Sequence, residues 1–547
     1  MKWRILSKTK NKEIIKILLA NRGLKGKKEI EEFLNPKKPE ELTSKEVGLD
    51  LAQIKKAVQR IKKAIKKNEK IIVYGDYDTD GVCGTAILWE TLHRLKANVL
   101  PFIPKREEGY GLKFERIEAM AKEGVKLIIT VDQGIVAYLQ VERANKLDVD
   151  VIITDHHVLG EKKPKALAIV HTTQLAGCGV AWFFAKHLQG KSDLDLVTIV
   201  TITDMVSLIG PNRSLVKYGL KILQKSQRPG LLALFDFAGL NKNKIGVFEV
   251  GYIIGPRINA AGRMDDPMES LRLICTPDEN RAISLAQKID QRNRERQILT
   301  EKTVIHAREI WLKEGRGNNL IFVGDESYQE GVVGLVASRL SEEFYRPAVV
   351  LSLGKEFSKA SARSIKEFNI IEALRSFAEI LVAHGGHPRA AGLTVETTKI
   401  TLLKERLMKI AQDRLKNQDL SPTLKIDLEL NLEEVNFELY QQIMKLEPFG
   451  QDNPQPIFMS RQVSVVDART VGNGQKHLKL RLASPLPVSP AGGSRCVFEA
   501  IAFGLGNLFP QLTTSAKIDI VYNLLVDEWN EHQRLQLKIK DIRMTGV

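Results

Sequence analysis

Three short runs of Ile and Val, each ending in acidic residues, constrain this chain more than any other feature. They are IIVYGDYDTDG (71–81), KLIITVD (126–132) and VDVIITD (149–155). Near-continuous β-branched runs suit the strands of a parallel sheet buried on both faces, with helices crossing between them. In such a sheet, ligands collect in the crevice beyond the carboxyl ends of the strands. The first run delivers Asp76, Asp78 and Asp80 at alternate positions, the second ends in Asp132, and the third ends in Asp155, His156 and His157. Carboxylates this close repel one another, and an unpaired buried charge is costly, so a divalent cation is expected among them. A calcium loop of the EF-hand kind is excluded. That loop needs Glu eleven residues after its first Asp, where this chain has Ile87, and it follows a helix rather than a strand.

The rest of the chain extends this α/β rhythm. Helices are expected at about 84–95, 114–124 and 137–147, with a short strand at 99–102 and mostly helix over 179–224. A long charged helix is expected over 278–314, with Ile298, Ile305 and Leu312 at seven-residue spacing as its packing stripe. A second α/β unit follows over 318–416, with strands near 320–323 and 348–351. IDLELNL (426–432) alternates as a half-buried strand, and short β segments run on to the end. The Pro/Gly/Ser-rich tract 484–495 reads as a loop, and no internal repeat is evident. At 547 residues the chain exceeds one core. The expected division is a basic N-terminal segment 1–50, a catalytic domain 51–277, a connecting helix 278–317, a substrate-binding domain 318–420 and a β-barrel 421–547.

Charge narrows the partner. Of the net +16, residues 1–70 supply +12, with 21 Lys/Arg against 9 Asp/Glu. A polyanion is the expected partner. Within 51–67, Leu51, Ile54, Val58, Ile61 and Ile65 fall at helical spacing, which makes the intervening lysines a solvated helix face. The four cysteines are scattered without metal spacing, as expected in a reducing cytoplasm. No signal peptide opens the chain and no apolar run is long enough to cross a bilayer, so no membrane association is expected.

Asp204 adds a further carboxylate from the apolar segment TIVTITDMVSL. Oxygen-rich ligation with one or two imidazoles suits Mn²⁺ or Mg²⁺ better than structural zinc. Two such ions among several carboxylates make a site for in-line attack on phosphorus.

The set D-Y-D-x-D-G, the VD-x-G strand end, D-H-H and the later helical Asp resembles the four motifs of the DHH phosphoesterase family. Further blocks carry the resemblance along nearly the whole chain, among them IPKREEGYGL (103–112), GPRINAAGRMDDP (255–267), ASARS (360–364), GGHPRAAGL (385–393) and LEPFGQDNPQPIF (446–458). The branch they resemble is that of single-strand-specific 5′→3′ DNA exonucleases acting in recombination and repair.

The resemblance implies a parallel-sheet core, a smaller α/β associated domain beyond the long helix, and a C-terminal OB fold. It also implies two ions, Mn²⁺ or Mg²⁺, held by Asp78, Asp80, Asp132, His156 and Asp204, with Asp132 bridging them. Asp76 is either a further ligand or a hydrogen-bonding support. Asp155 orients the adjacent imidazole, and His157 contacts the scissile phosphate or protonates the leaving oxygen. For the substrate strand it implies Arg106 and Tyr110 as a phosphate fork and a stacking ring. Arg257, Asn259, Arg263, Ser361, Arg363 and His387 are polar groups set among small residues. The partners it implies are single-stranded DNA, a helicase and a single-strand-binding protein, with the enzyme a monomer and mononucleotides as product. Selection against duplex would follow from the width of a passage between the two α/β domains.

Two departures lie beside the site: VHTTQ replaces a longer Asn-Pro element after the D-H-H strand, and Ser207 stands where relatives generally carry Pro. The rival readings are a phosphodiesterase of short oligonucleotides or cyclic dinucleotides, and a binding module without catalysis. The first usually lacks the 446–458 block and the OB fold, and the second requires lost carboxylates, none of which is missing here.

Overall fold

The computed structural model describes residues 1–7, 13–189, 193–315, 317–484, 496–529 and 532–545. Its chain divides into a larger unit, 38–206 with 218–420, and a smaller one, 1–37 with 207–217 and 421–547. Apart from Ser484, the tract expected as a Pro/Gly/Ser loop lies outside the described residues.

The larger unit is built on a five-stranded parallel sheet, in the order Val99–Phe102, Lys70–Tyr74, Val125–Val131, Asp150–Asp155 and Ala168–His171. Ile71, Val73, Ile129, Val131, Ile152 and Ile153 are buried, as runs covered on both faces must be. The last strand had no counterpart in the sequence reading, because AIVH is too short to show a period.

The helix after the first strand spans Thr79–Arg94, not 84–95 as the sequence suggested. Its start is set by Asp78, whose Oδ1 accepts hydrogen bonds from the backbone N–H of Asp80 (2.9 Å) and Gly81 (3.2 Å). Asp is a favoured N-cap, so part of the acidic motif does helical work as well. Gly81 is required for packing: a Cβ there would lie 2.4 Å from the Asp76 backbone nitrogen.

The long helix spans Glu279–Glu314, about 54 Å at 1.5 Å per residue. Asp278 caps it by accepting from Arg281 N–H at 2.9 Å. The expected packing stripe is corrected here. Ile298, Ile305 and Leu312 are exposed, and the buried positions are Ala282, Ala286, Ile289, Asp290, Asn293, Thr300, Thr303, Val304, Ala307 and Trp311. Small residues let the neighbouring helices approach closely, and a seven-residue apolar spacing alone does not reveal which face does so.

Beyond it lies a second five-stranded sheet, in the order Leu381–His387, Ala390–Glu396, Phe357–Arg363, Ala348–Ser352 and Ile321–Asp325. Only the last pair is parallel. The antiparallel strands escaped the sequence reading because their Ala, Gly and Ser residues carry little β signal.

In the smaller unit, the strands Phe458–Val471, His477–Ala483, Val497–Ala502, His532–Met544 and Lys517–Trp529 close into a barrel when the last pairs back with the first. Thr423–Glu429 extends this sheet and pairs in parallel with Lys2–Ser7, from the start of the chain. Leu18, Leu19 and Phe33 join the barrel's apolar core. Among the described residues, no helix is long and apolar enough to cross a membrane.

Candidate metal centre

The three strand ends of the parallel sheet bring their acidic residues together, as the sequence reading expected. Asp204 reaches the same place as the C-cap of the helix Leu194–Thr203. Nε2 of His156 lies 3.1 Å from Asp132 Oδ1, 3.5 Å from Asp80 Oδ2 and 4.0 Å from Asp204 Oδ2. Three overlapping sets have ligand atoms within 4.8 Å of one another: Asp132, His156 and His157; Asp80, His156 and Asp204; and Asp76, Asp78 and Asp132. Asp132 and His156 each belong to two sets, so the donors form adjoining pockets with shared walls. Asp132 takes φ +60°, a left-handed conformation uncommon for a residue with a side chain, at the point where the strand turns into QG.

Backbone N–H groups hold several of these side chains. The Asp80 carboxylate accepts from Gly177 N–H at 2.7 Å and Cys178 N–H at 2.5 Å, both in the first turn of the helix Gly177–Lys186. That helix N-terminus carries partial positive charge toward a buried anion. The Gln133 amide donates to Gly75 O at 2.6 Å and so ties together two strand ends. Sequence reasoning missed Gly177, Cys178 and Gln133. Their signal was weak: backbone donors carry no residue type, and Gln133 read only as the spacer in VD-x-G.

Electrostatics argue for a cation. Burial, reinforced by neighbouring carboxylates, pushes Asp76, Asp80 and Asp132 well above the usual carboxylate range. Asp204 is pushed up to about 7 by burial and Asp78. Asp76 Oδ1 and Asp132 Oδ1 are buried without a hydrogen-bond partner among the described residues. Burial and His157 push His156 down to about 4, which leaves it a neutral imidazole with a lone pair for ligation. Crowded carboxylate oxygens, two of them unpartnered, beside a neutral imidazole fit hard divalent ions.

Asp155 is fully buried and plays a different part. Its Oδ1 accepts from the backbone N–H groups of His156 (2.7 Å) and His157 (3.1 Å) and lies 2.8 Å from Nδ1 of the His157 ring. The imidazole it holds is therefore that of His157. Burial works against the charged ring, but the Asp155 bond and the charges of Asp155, Asp204 and Asp76 together outweigh it and raise the His157 pKa; Asp155, against its own burial, is lowered by His157 and backbone N–H groups.

The expected substrate residues divide. Tyr110 donates its hydroxyl to Asp132 O at 3.0 Å and meets His157 edge-on, so its polar end is already engaged at the site. Arg106 donates to Gly262 O at 3.1 Å, with its guanidinium 4.2 Å above the Tyr77 ring. Arg263 donates to Gly331 O at 3.1 Å, and burial together with Arg106 and Arg296 pushes it down to about 10. Ser361 and Arg363 lie on one strand, facing Gly334 of the helix Glu330–Phe344. Asn259 accepts from Thr79 N–H at 2.9 Å, linking the RINAAGR helix to the acidic loop. Arg257 pairs with Asp290 of the long helix at 2.9 Å. His387 is exposed on the edge strand Leu381–His387 and belongs to none of the three ligand sets. Arg296 was also missed. It stands near Arg263 with its Nε buried and without a partner among the described residues.

Residues 70–206 match the DHH family, N-terminal domain; residues 317–417 match the DHHA1 domain, and residues 426–541 the RecJ OB domain. Fold and acidic edge thus define a DHH-type core with its associated domain and an OB barrel. The chain is 30% identical over 568 residues to the single-stranded-DNA-specific exonuclease RecJ of Escherichia coli, covering 97% of this chain and 95% of that one. It is 37% identical over 507 residues to the Bacillus subtilis protein of the same name, covering 90% of this chain but only 63% of the relative's length. A crystal structure of RecJ from Thermus thermophilus in complex with Mn²⁺ aligns over all of this chain and 80% of that one, with TM-score 0.82 and 28% identity. The chain belongs to the RecJ family.

Proposed function

We propose that this protein is a metal-dependent 5′→3′ exonuclease that degrades single-stranded DNA to mononucleotides in recombination and repair. The observation that carries this reading is the run of three adjoining donor sets at the sheet edge, linked through Asp132 and through His156. Asp76, Asp78, Asp80, Asp132, His156 and Asp204 would hold two Mn²⁺ or Mg²⁺ ions. Bound there, such ions lower the pKa of water and stabilise charge on the attacking and leaving oxygens.

The protein's own groups do the rest. His157, oriented by Asp155, contacts the scissile phosphate or gives a proton to the leaving oxygen. Arg106, Arg263 and Arg363, with Ser361, supply donors to phosphate oxygens. Asn259 keeps the acidic loop in register with the strand-binding helix. The reading divides the chain near 278, 318 and 421, which the ends of the long helix and the matched ranges support. It includes a monomer working in a reducing cytoplasm, consistent with four free cysteines, and supplied with single strands by a helicase and a single-strand-binding protein.

The test is a time course with Mn²⁺ on a 5′-phosphorylated single strand, its blunt duplex and a dinucleotide. Release of mononucleotides from the 5′ end of the single strand, with the duplex spared, is expected. Cleavage confined to the dinucleotide would assign the chain to the short-oligonucleotide phosphodiesterases instead.

A further inference from the structure

Two large rings stand in solvent side by side. Phe248 is 59% exposed and Tyr252 73% exposed. Their centroids are 5.0 Å apart and their planes only 28° from parallel. A lone exposed aromatic needs no explanation, but a stacked pair offers a preformed π-surface.

The mounting is rigid. Phe248 lies in the helical turn Val247–Glu249, and Tyr252 in the π-helical turn Val250–Ile254 that continues it. Such turns are rare and are frequent at functional sites. Val250 and Ile254 are fully buried beneath the rings' turn. The next residue, Gly255, is pressed against the helix that ends in Asp204: a Cβ there would lie 2.0 Å from Thr203 Cγ2. Gly255 also opens the helix Gly255–Met264, which carries Asn259 and Arg263. The aromatic pair is thus built into the same piece of backbone as Asn259 and Arg263, and that piece packs against the helix capped by Asp204. Just upstream, Lys242 and Lys244 occupy the turn Lys242–Lys244. Exposed aromatic faces are the chemistry that holds the bases of an unpaired strand.

We propose that Phe248 and Tyr252 form a stacking platform for an unpaired nucleobase of the substrate strand, outside the acidic cluster. This rests on the reading of single-stranded DNA as substrate. It assigns a base-binding surface to a segment outside the four acidic motifs.

The test measures binding by the full chain, in chelator so that no cleavage occurs, to a labelled thymidine homopolymer and to the same strand with abasic sites throughout. The variants are Phe248→Ala, Tyr252→Ala, their combination, and the combined Phe248→Leu/Tyr252→Leu, which keeps apolar bulk but removes the π-faces. The combined alanine and leucine variants should each bind the base-bearing strand about tenfold more weakly or worse. All variants should bind the abasic strand as the wild type does. Thermal melting should be unchanged, since the rings are exposed. Wild-type affinity of the alanine pair for the base-bearing strand overturns the platform. So does an equal loss on both strands, or wild-type affinity of the leucine pair. The nuclease reading is judged separately, by whether the wild type shortens the strand with Mn²⁺, and it can fail while the binding comparison still stands.

Discussion

Replacing Asp204 by Asn separates the needs of the site from the needs of the fold. In the metal-free protein, burial and Asp78 raise the Asp204 carboxyl from an ordinary 3.8 to about 7. At about 1.36 kcal/mol per tenfold change in acidity, its ionised form costs about 4 kcal/mol above pH 7. A third of the side chain is open to solvent, so screening reduces this to about 1–2 kcal/mol. Because the folded pKa lies above the unfolded one, stability is complete below pH 4 and is lost as pH rises through 7. Asn does not ionise and escapes that loss. Asp204→Asn should therefore melt a few degrees higher than wild type in chelator at pH 8 and match it near pH 4. With Mn²⁺ the order should reverse: the wild type gains stability with bound ion, while the variant gains far less and loses nuclease activity. Thermal melting in chelator and in Mn²⁺, at both pH values, reads all of this. Equal melting of the two proteins in chelator at pH 8 would refute the electrostatic account. A full Mn²⁺ response in the variant would remove Asp204 from the ligand set.

Asp80→Ala should abolish cleavage while strand binding persists, because the donor set is broken but Arg106, Arg263 and Arg363 remain; full activity would take Asp80 out of the site. Arg228→Met should destabilise the larger unit by about 3–5 kcal/mol in urea unfolding, since Arg228 joins Glu90 (2.7 Å), Asp193 (2.5 Å) and Asp195 (3.5 Å), and its loss would leave Asp195 without a cation among the described residues and Glu90 and Asp193 with only the longer contacts to Arg94 (3.6 and 3.8 Å); a loss below about 1 kcal/mol would contradict this. Phe503→Ala on the barrel should weaken binding of a long strand, because this exposed ring lies beside His477 and 5.6 Å from Lys538 Nζ, a stacking face with a cation; unchanged affinity would argue against that face. Truncation before 421 is a poorer probe, since it would strip the partners from Leu18, Leu19 and Phe33.

The acidic edge was legible in the sequence because each ligand-bearing strand is apolar to its last residue and then turns acidic at once. What holds the ligands was not. Gly177 and Cys178 act on Asp80 through backbone N–H groups, which leave no mark in residue type. Asp78 is the N-cap of the helix Thr79–Arg94, but three aspartates at alternate positions read as a loop, which places the helix five residues late. The long helix showed the opposite failure: its conspicuous Ile298, Ile305 and Leu312 face water, while inconspicuous Ala and Thr positions pack. The antiparallel hairpin around GGH was hidden because Gly and Ala have no face to show until a neighbouring strand supplies the hydrogen bonds. The pairing of Arg257 with Asp290 and the exposure of the edge strand that carries His387 leave no trace among the small residues that surround them in sequence.

The parallel pairing of Lys2–Ser7 with Thr423–Glu429 has a consequence for how the protein is made. A ribosome adding ~5–20 residues per second releases the first strand, with Leu18, Leu19 and Phe33 close behind, tens of seconds before the barrel exists to receive them. Through that interval a greasy, unpaired segment trails from the nascent chain while the middle of the polypeptide folds. Chaperone demand during translation should therefore concentrate on these opening residues, and polar replacements at Leu18 or Leu19 should relieve it only by forfeiting the barrel's interior.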